Sequence, residues 1–378
     1  MLNVSTLLQT RKSRSDGLRY GAASSRGVRY SKASSRPPVV VWNATLACNL
    51  GCLHCYASAK ARPASDELAT AEALSFVNQL ATLRCPALLL SGGEPLLRTD
   101  LFEIVAAARN AGVSVTLSTN GTLIDRALAA RLRDVGVTYV GISIDGDERT
   151  HDGLRKCKGS WQQATAALYE LGRVGVTRGV RFTLTPATSG ALGDVLRLVA
   201  DLGVERFCMY HLVPSGRGVR LHDVTPRQRY QALLQVFEFA ASHPDVEVLT
   251  VANPSDSVIL LRWIQKNFPD RAEQAWKLMA WNGGARWASG SSLACVDHTG
   301  TVYPDQFSRH RPLGNIRRSS FADIWSSRPP LPPPPKECYR CEYFPICGGG
   351  MRARAELATG DPSGMDPSCM LPFSREVA

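Results

Sequence analysis

Three cysteines, Cys48, Cys52 and Cys55, stand in the run Ala47-Cys48-Asn49-Leu50-Gly51-Cys52-Leu53-His54-Cys55-Tyr56. A C-x3-C-x2-C loop can give three thiolates to a 4Fe-4S cluster and leave one iron without a protein ligand. An open iron is useful only to a molecule that binds there, and S-adenosylmethionine (SAM) can do so through its amino and carboxylate groups. Zinc prefers four ligands in paired units, so three closely set cysteines suit it poorly. A second set lies near the C-terminus: Cys338-x2-Cys341-x5-Cys347, with Cys369 further on. Four thiolates satisfy either an iron–sulfur cluster or a structural zinc, and both readings stand at this point. Cys85, Cys157 and Cys208 show no ligand spacing and are expected to be packed or incidental.

A cluster loop needs a frame. Directly before it lies a strand-like run, Val39 to Trp42, the first of six. The others are Ala87 to Leu90, Val113 to Ser118, Tyr139 to Ile144, Val180 to Leu184 and Arg206 to Leu212. Helix-like stretches separate them: Thr70 to Leu83, Asp100 to Ala111, Asp125 to Val135, Trp161 to Val174 and Leu192 to Leu202. Alternation is weak in Val113 to Ser118, as in strands buried on both faces. The pattern predicts parallel βαβ units with right-handed crossovers, hence an α/β fold with a partial (β/α)6 barrel. Ligands in such sheets sit at the carboxyl ends of the strands. Four polar motifs fall at those ends: Ser91-Gly92-Gly93-Glu94-Pro95, Ser118-Thr119-Asn120-Gly121, Ser143-Ile144-Asp145-Gly146 and Tyr210-His211. Paired glycines let a backbone approach a ligand closely. Hydroxyls and short amides or acids can hold diol or carboxylate oxygens, although Asn-Gly and Asp-Gly also favour ordinary turns.

The chain of 378 residues is long enough for two domains, and its 44% hydrophobic content supplies a sizeable core. No apolar run reaches the roughly 18 residues that span a bilayer. The segment from Met1 to Arg36 is polar and basic, without an apolar signal-like stretch, and is expected to be a partly disordered arm. The absence of that stretch, with eleven cysteines, argues for a reducing, cytoplasmic setting. The cysteines cluster as metal sites rather than as a disulfide framework. A net charge of +11 implies an acidic partner. Nucleic acid and a small polycarboxylate both qualify, and the scarcity of aromatic residues among the basic ones weakens the nucleic-acid reading without removing it. The expected divisions are 1–37, a basic extension; 38–224, the partial barrel; 225–290, a helical connector around the apolar stretch Val246 to Val251; and 291–378, a small cysteine-rich domain. The proline run from Pro329 to Pro335 is a stiff spacer before its last cysteines.

The cysteine loop together with Gly92-Gly93-Glu94 resembles the signature of the radical SAM superfamily. The C-terminal cysteines resemble the family's SPASM domain, or its shorter twitch form. That resemblance implies that Cys48, Cys52 and Cys55 ligate a 4Fe-4S cluster with an open iron for SAM. It implies SAM contacts from Tyr56, Gly92, Gly93, Glu94, Asn120, Ser143 and Arg155, with His54 where the superfamily usually has an aromatic residue. It implies one auxiliary 4Fe-4S cluster on Cys338, Cys341, Cys347 and Cys369. Cys295 corresponds to the first cysteine of a further cluster, but Asp305 and Met351 fill positions where its other ligands would stand. Cys295 is either a free thiol near substrate or a substitute for Cys369. Finer motifs are similar to the radical SAM enzymes that trim acetate or propionate side chains from sirohaem-derived tetrapyrroles. They include Leu18-Arg19-Tyr20-Gly21, Tyr210 to Gly218, Tyr303 to Phe307, Leu313 to Ile316 and Cys347 to Ala355. The implied roles are proton donation or iron ligation by Tyr210 and His211, a carboxylate pair for Arg217, and a flavodoxin- or ferredoxin-type electron donor. The alternative within the superfamily is a maturase of ribosomal peptides.

Overall fold

The computed structural model describes residues 1–9, 37–284 and 288–376. Its strands, in chain order, are β1 (Leu2–Asn3), β2 (Val39–Asn43), β3 (Ala87–Ser91), β4 (Ser114–Thr119), β5 (Tyr139–Ser143), β6 (Arg178–Leu184), β7 (Arg206–His211), β8 (Glu247–Val251), β9 (Leu293–Val296), β10 (Thr301–Tyr303) and β11 (Gly314–Asn315). They form one sheet in the order β1-β8-β7-β6-β5-β4-β3-β2-β9-β10-β11. Strands β2 to β8 are parallel neighbours in sequence order, as repeated right-handed crossovers require.

The helices of the first half are α1 (Val4–Leu8), α2 (Thr70–Thr82), α3 (Leu101–Asn110), α4 (Arg126–Asp134), α5 (Glu148–Arg155), α6 (Ser160–Arg173) and α7 (Leu192–Asp201). Then follow α8 (Pro226–Ser242), α9 (Asp256–Asn267), α10 (Pro269–Asn282), α11 (Phe321–Ser326), α12 (Phe344–Cys347), α13 (Arg352–Thr359) and α14 (Leu371–Glu376). Apolar stripes of the helices cover one face of the sheet in a single continuous core that includes Trp42, Phe76, Leu117, Ile142, Phe182 and Phe237.

The other face is less covered. In β4, Val115, Leu117 and Thr119 are buried while Ser114, Thr116 and Ser118 are half-buried. The sequence suggested a strand buried equally on both faces; the period-two alternation is real, and its small polar residues line the barrel lumen. Helix α5 escaped the sequence reading because Leu154 is its single large apolar residue. It forms because Asp147 caps it, accepting from the Thr150 amide at 2.9 Å, and Lys156 ends it in the left-handed region at φ 57°.

Three expected divisions change. Residues 1–9 are not a disordered arm: β1 pairs antiparallel with β8, and Val4 and Leu7 are fully buried. The hydroxyl of Ser5 donates to the Val246 carbonyl (2.8 Å) and accepts the Val248 amide (2.9 Å). The motif at Leu18 to Gly21 lies outside the described residues. The apolar stretch of the connector is β8, a seventh parallel strand beside β7. The C-terminal region joins the same sheet, since β9 pairs parallel with β2. Its short strands lack the length and alternation that would have marked them in sequence.

The first nine residues therefore stabilise the fold. Leu7→Ala should lower stability by about 2–4 kcal/mol, a drop in thermal midpoint of roughly 3–5 °C; an unchanged midpoint would show that α1 is not part of the core.

Candidate active site

The cysteine loop is held at the carboxyl end of β2 by neighbouring backbones. The Gly93 amide donates to the Thr45 carbonyl and the Glu94 amide to the Ala47 carbonyl, both at 2.7 Å. A Cβ on Gly93 would stand 2.2 Å from the Ala47 oxygen, and one on Gly92 would stand 2.5 Å from the Thr45 oxygen. Gly92 also has φ +136°. These contacts with the cysteine loop account for both glycines. Glu67 ties the loop to itself, its Oε1 accepting from the Thr45 hydroxyl (2.9 Å) and the Leu46 amide (2.8 Å).

Two further elements close on the loop. The last carbonyls of α5, Leu154 and Arg155, accept the amides of Leu53 (2.9 Å) and Gly51 (3.2 Å), so the orphan end of a helix is satisfied by the cysteine loop. The turn Gly216–Arg220 supplies Arg217, whose amide donates to the Cys55 carbonyl (2.9 Å), Nε to the Cys52 carbonyl (2.8 Å) and Nη1 to the Ala59 carbonyl (2.6 Å). Arg217 thus braces the loop through three donors, and its Nη2 is buried without a partner.

Cys48 and Cys52 are buried and Cys55 is half-buried. Cys157 packs against the same small patch, a neighbour that spacing did not reveal. Burial, with the adjacent thiols adding to it, pushes the Cys48 thiol up to about 11, so metal loading must release protons. Each sulfur has an N–H donor: Leu50 N to Cys48 Sγ (3.4 Å), Arg155 Nη1 to Cys52 Sγ (3.6 Å) and Ala59 N to Cys55 Sγ (3.5 Å). Among the described residues no three His, Cys, Asp or Glu side chains converge as one metal ion would need. A four-iron cluster gives each thiolate its own iron, and a soft thiolate trio around one loop fits it.

The side chains of several residues expected to contact SAM also make contacts within the protein. Arg155 donates through Nε to Asp145 Oδ2 at 2.8 Å and pairs with the same oxygen through Nη2. Asp145 also accepts the Thr183 amide at 2.8 Å. Burial opposes its charge, but Arg155 outweighs that and holds the carboxyl below the usual range. Asn120 donates to Asn49 Oδ1 (2.9 Å), and its own Oδ1 accepts the Thr122 amide (2.9 Å) and hydroxyl (2.7 Å). The Glu94 carboxylate accepts from the Thr119 hydroxyl and the Asn120 amide, both at 2.8 Å, and from the Leu96 amide at 3.1 Å. Burial nevertheless raises it to about 7. Tyr56 donates to Asn43 Oδ1 (2.8 Å) and meets Ser91 Oγ (3.2 Å), with its ring edge on Phe307. The hydroxyl of Ser143, half-buried at the end of β5, makes no side-chain hydrogen bond among the described residues. His54 Nε2 lies 3.6 Å from Asp145 Oδ2, and its Nδ1 is buried without a partner. Burial lowers its pKa to about 4, so the ring is neutral.

Tyr210 and His211, both expected at the strand end facing the site, do not share a face. Adjacent strand residues face opposite sides of a sheet. The Tyr210 ring lies in the lumen, with the Arg181 guanidinium 4.5 Å from its centroid. His211 faces away, fully buried, with Nε2 2.8 Å from Asp256 Oδ2. It belongs to a polar chain that continues from Asp256 to Asn253 (2.8 Å) and from Asn253 to Arg354 (2.9 Å).

That chain ends beside the second cysteine set. Cys338, Cys341, Cys347 and Cys369 line one pocket together with Ser255, Gly349, Gly350 and Asp366. Asp366 organises its wall, accepting the Met351 amide (2.7 Å), the Ser368 amide (3.0 Å) and both arms of Arg354 (2.8 and 2.9 Å). Cys295 is not there. It is fully buried on β9, with Asn43 Nδ2 donating to its sulfur at 3.5 Å. Asp305 is spent on the Ser289 hydroxyl and on the amides of Phe307 and Ser308.

Comparison with known proteins agrees with this geometry. A model described as the radical SAM superfamily matches residues 42–199, and one described as an iron–sulfur cluster-binding domain, SPASM, matches residues 288–342. The chain is 36% identical to an Fe-coproporphyrin III synthase of Methanosarcina barkeri, over 98% of both chains. It is 38% identical to a pre-heme d1 synthase of Dinoroseobacter shibae, over 88% of this chain and 86% of that one. In structure it is similar to Streptococcus suis SuiB bound to precursor peptide SuiA, with a TM-score of 0.71 over 90% of this chain and 78% of that one. Identity there is 15%, which speaks to fold alone.

The buried ion pair behind the loop can be tested. Arg155→Met leaves Asp145 as a buried, unpaired carboxylate and should cost about 3–5 kcal/mol. Adding Asp145→Asn should restore much of that loss. Additive losses in thermal unfolding would show that the two groups act independently.

Proposed function

This chain belongs to the radical SAM family with a C-terminal SPASM domain, and on that premise we propose that it removes carboxylate-bearing side chains, acetate or propionate, from a sirohaem-derived tetrapyrrole. The observation that carries this reading is the likeness, along most of the chain, to two enzymes whose names specify tetrapyrrole products. When bound, the first cluster and SAM supply a 5′-deoxyadenosyl radical that abstracts hydrogen from an unactivated carbon.

The protein's own part is positional. Cys48, Cys52 and Cys55 hold the first cluster, and the amides and Arg155 that donate to their sulfurs set its potential. Ser143, at the end of β5, offers the free hydroxyl suited to SAM, while Gly92 and Gly93 bring the loop backbone into place. Cys338, Cys341, Cys347 and Cys369 hold the auxiliary cluster. Tyr210 presents a hydroxyl to the lumen. Burial raises that group to about 12, which keeps it protonated and able to donate. The net charge of +11 draws an acidic macrocycle to the protein. A flavodoxin- or ferredoxin-type protein supplies the electron. Among the described residues no helix is long and apolar enough to cross a membrane; the reaction is assigned to the cytoplasm.

Anoxic incubation of the reconstituted protein with reductant, SAM and didecarboxysirohaem, read by mass spectrometry, should show loss of side-chain mass; an unaltered macrocycle would count against this substrate. Cys52→Ala should abolish 5′-deoxyadenosine formation. Cys341→Ala should retain some SAM cleavage and lose product, and full product yield from that variant would show the auxiliary cluster to be dispensable.

A further inference from the structure

We propose that Arg181 and Arg309 form the carboxylate-binding pair of the barrel lumen, receiving acidic side chains of the macrocycle; the assignment rests on the tetrapyrrole reading above. Arg181 lies on the lumen side of β6, stacked on Tyr210. Its stem crosses Gly141 of β5, where a Cβ would stand 2.7 Å from Arg181 Cδ. The missing side chain is what lets the guanidinium reach across the strand. The Arg181 side chain makes no hydrogen bond or ion pair among the described residues. Arg309 follows β10, and its Nε and Nη2 are buried without a partner. Phe307, two residues before Arg309, meets the Tyr56 ring at 5.7 Å, and both guanidinium groups lie near enough to the Tyr56 hydroxyl to act on it, so both stand on the Tyr56 side of the lumen.

An unpaired guanidinium withdrawn from water is costly, by several kcal/mol when burial is deep. The fold shows how it treats arginines meant for structure. Arg206, two residues along β7 from Cys208 and four from Tyr210, lies 2.6 Å from Glu247. Arg155 has Asp145 and Arg354 has Asp366, while Arg217 donates through Nε and Nη1 to carbonyls of the cysteine loop. Arg181 and Arg309 have no acidic partner of this kind. The groups acting on Arg181 are Tyr210, Tyr139, Cys208 and Tyr56, with no carboxylate among them. Beside Arg309, the nearby Asp305 is spent on two amides and a serine hydroxyl. Two planar forks with free donors, set among phenol rings, suit carboxylates on a flat aromatic macrocycle.

The test compares didecarboxysirohaem with its carboxyl methyl esters, titrated into the cluster-loaded protein and followed by visible absorbance. A charge-assisted hydrogen bond corresponds to about ten- to a hundredfold in affinity. The parent protein should prefer the acid by at least tenfold. Arg181→Gln and Arg309→Gln should each weaken acid binding by roughly that factor while leaving ester binding unchanged. If the parent binds the acid and both variants bind it equally well, the arginine pair is wrong and the substrate reading survives. If the parent does not bind the acid, both fall. Should a glutamine variant lose its iron or its thermal transition, Arg181→Lys and Arg309→Lys, which keep the charge, take its place. They should retain a preference for the acid, and equal affinity of both folded lysine variants for acid and ester would overturn the pair.

Discussion

The site depends on two backbones lying against each other. The turn after β3 and the cysteine loop after β2 touch so closely that no side chain fits at Gly92 or Gly93. That contact fixes where the thiolates point before any metal arrives. The remaining contacts are reinforcements laid over it: the carboxyl end of α5 from one side and the Arg217 turn from the other. A loop that must hold a cluster with one iron open has little metal–ligand redundancy to shape it, so the polypeptide has to be shaped in advance.

Much of this was legible from residue types alone. The six central strands and five of the helices follow from apolar periodicity, and the cysteine spacing identifies the cluster loop. What sequence could not show was which way side chains face. Asn120 reads as a cofactor contact because a short amide at a strand end can hold ligand oxygens, and Glu94 because Gly92-Gly93-Glu94 resembles the family's motif. In the structure they brace the cysteine loop and one another. Tyr210 and His211 both read as facing the radical site because they stand at one strand end, yet strand geometry sends them to opposite faces. The lumen arginines were invisible for a related reason: nothing in the letters at Arg181 and Arg309 marks them as lacking acidic partners. Helix α5, polar nearly throughout, gives no amphipathic signal, and its role is to present carbonyls and one guanidinium to the cluster loop.

Charge is distributed in two ways in this molecule. Behind the loop and behind the second cysteine set, arginines are locked to buried aspartates, Arg155 with Asp145 and Arg354 with Asp366. Those pairs neutralise themselves and fix geometry. In the lumen, positive charge is left uncompensated beside tyrosines. The contrast separates scaffolding electrostatics from recognition electrostatics within a single sheet.

The ladder between β2 and β9 carries a mechanical corollary. Val39, Val40, Val41 and Trp42 stand in register with Leu293, Ala294, Cys295 and Val296. The strand leading into the first thiolate loop is therefore hydrogen-bonded to the first strand of the C-terminal region. A clamshell movement of that region away from the barrel would have to unzip this seam. The cysteine-rich region is thereby laced to the barrel through backbone rather than hung on a hinge.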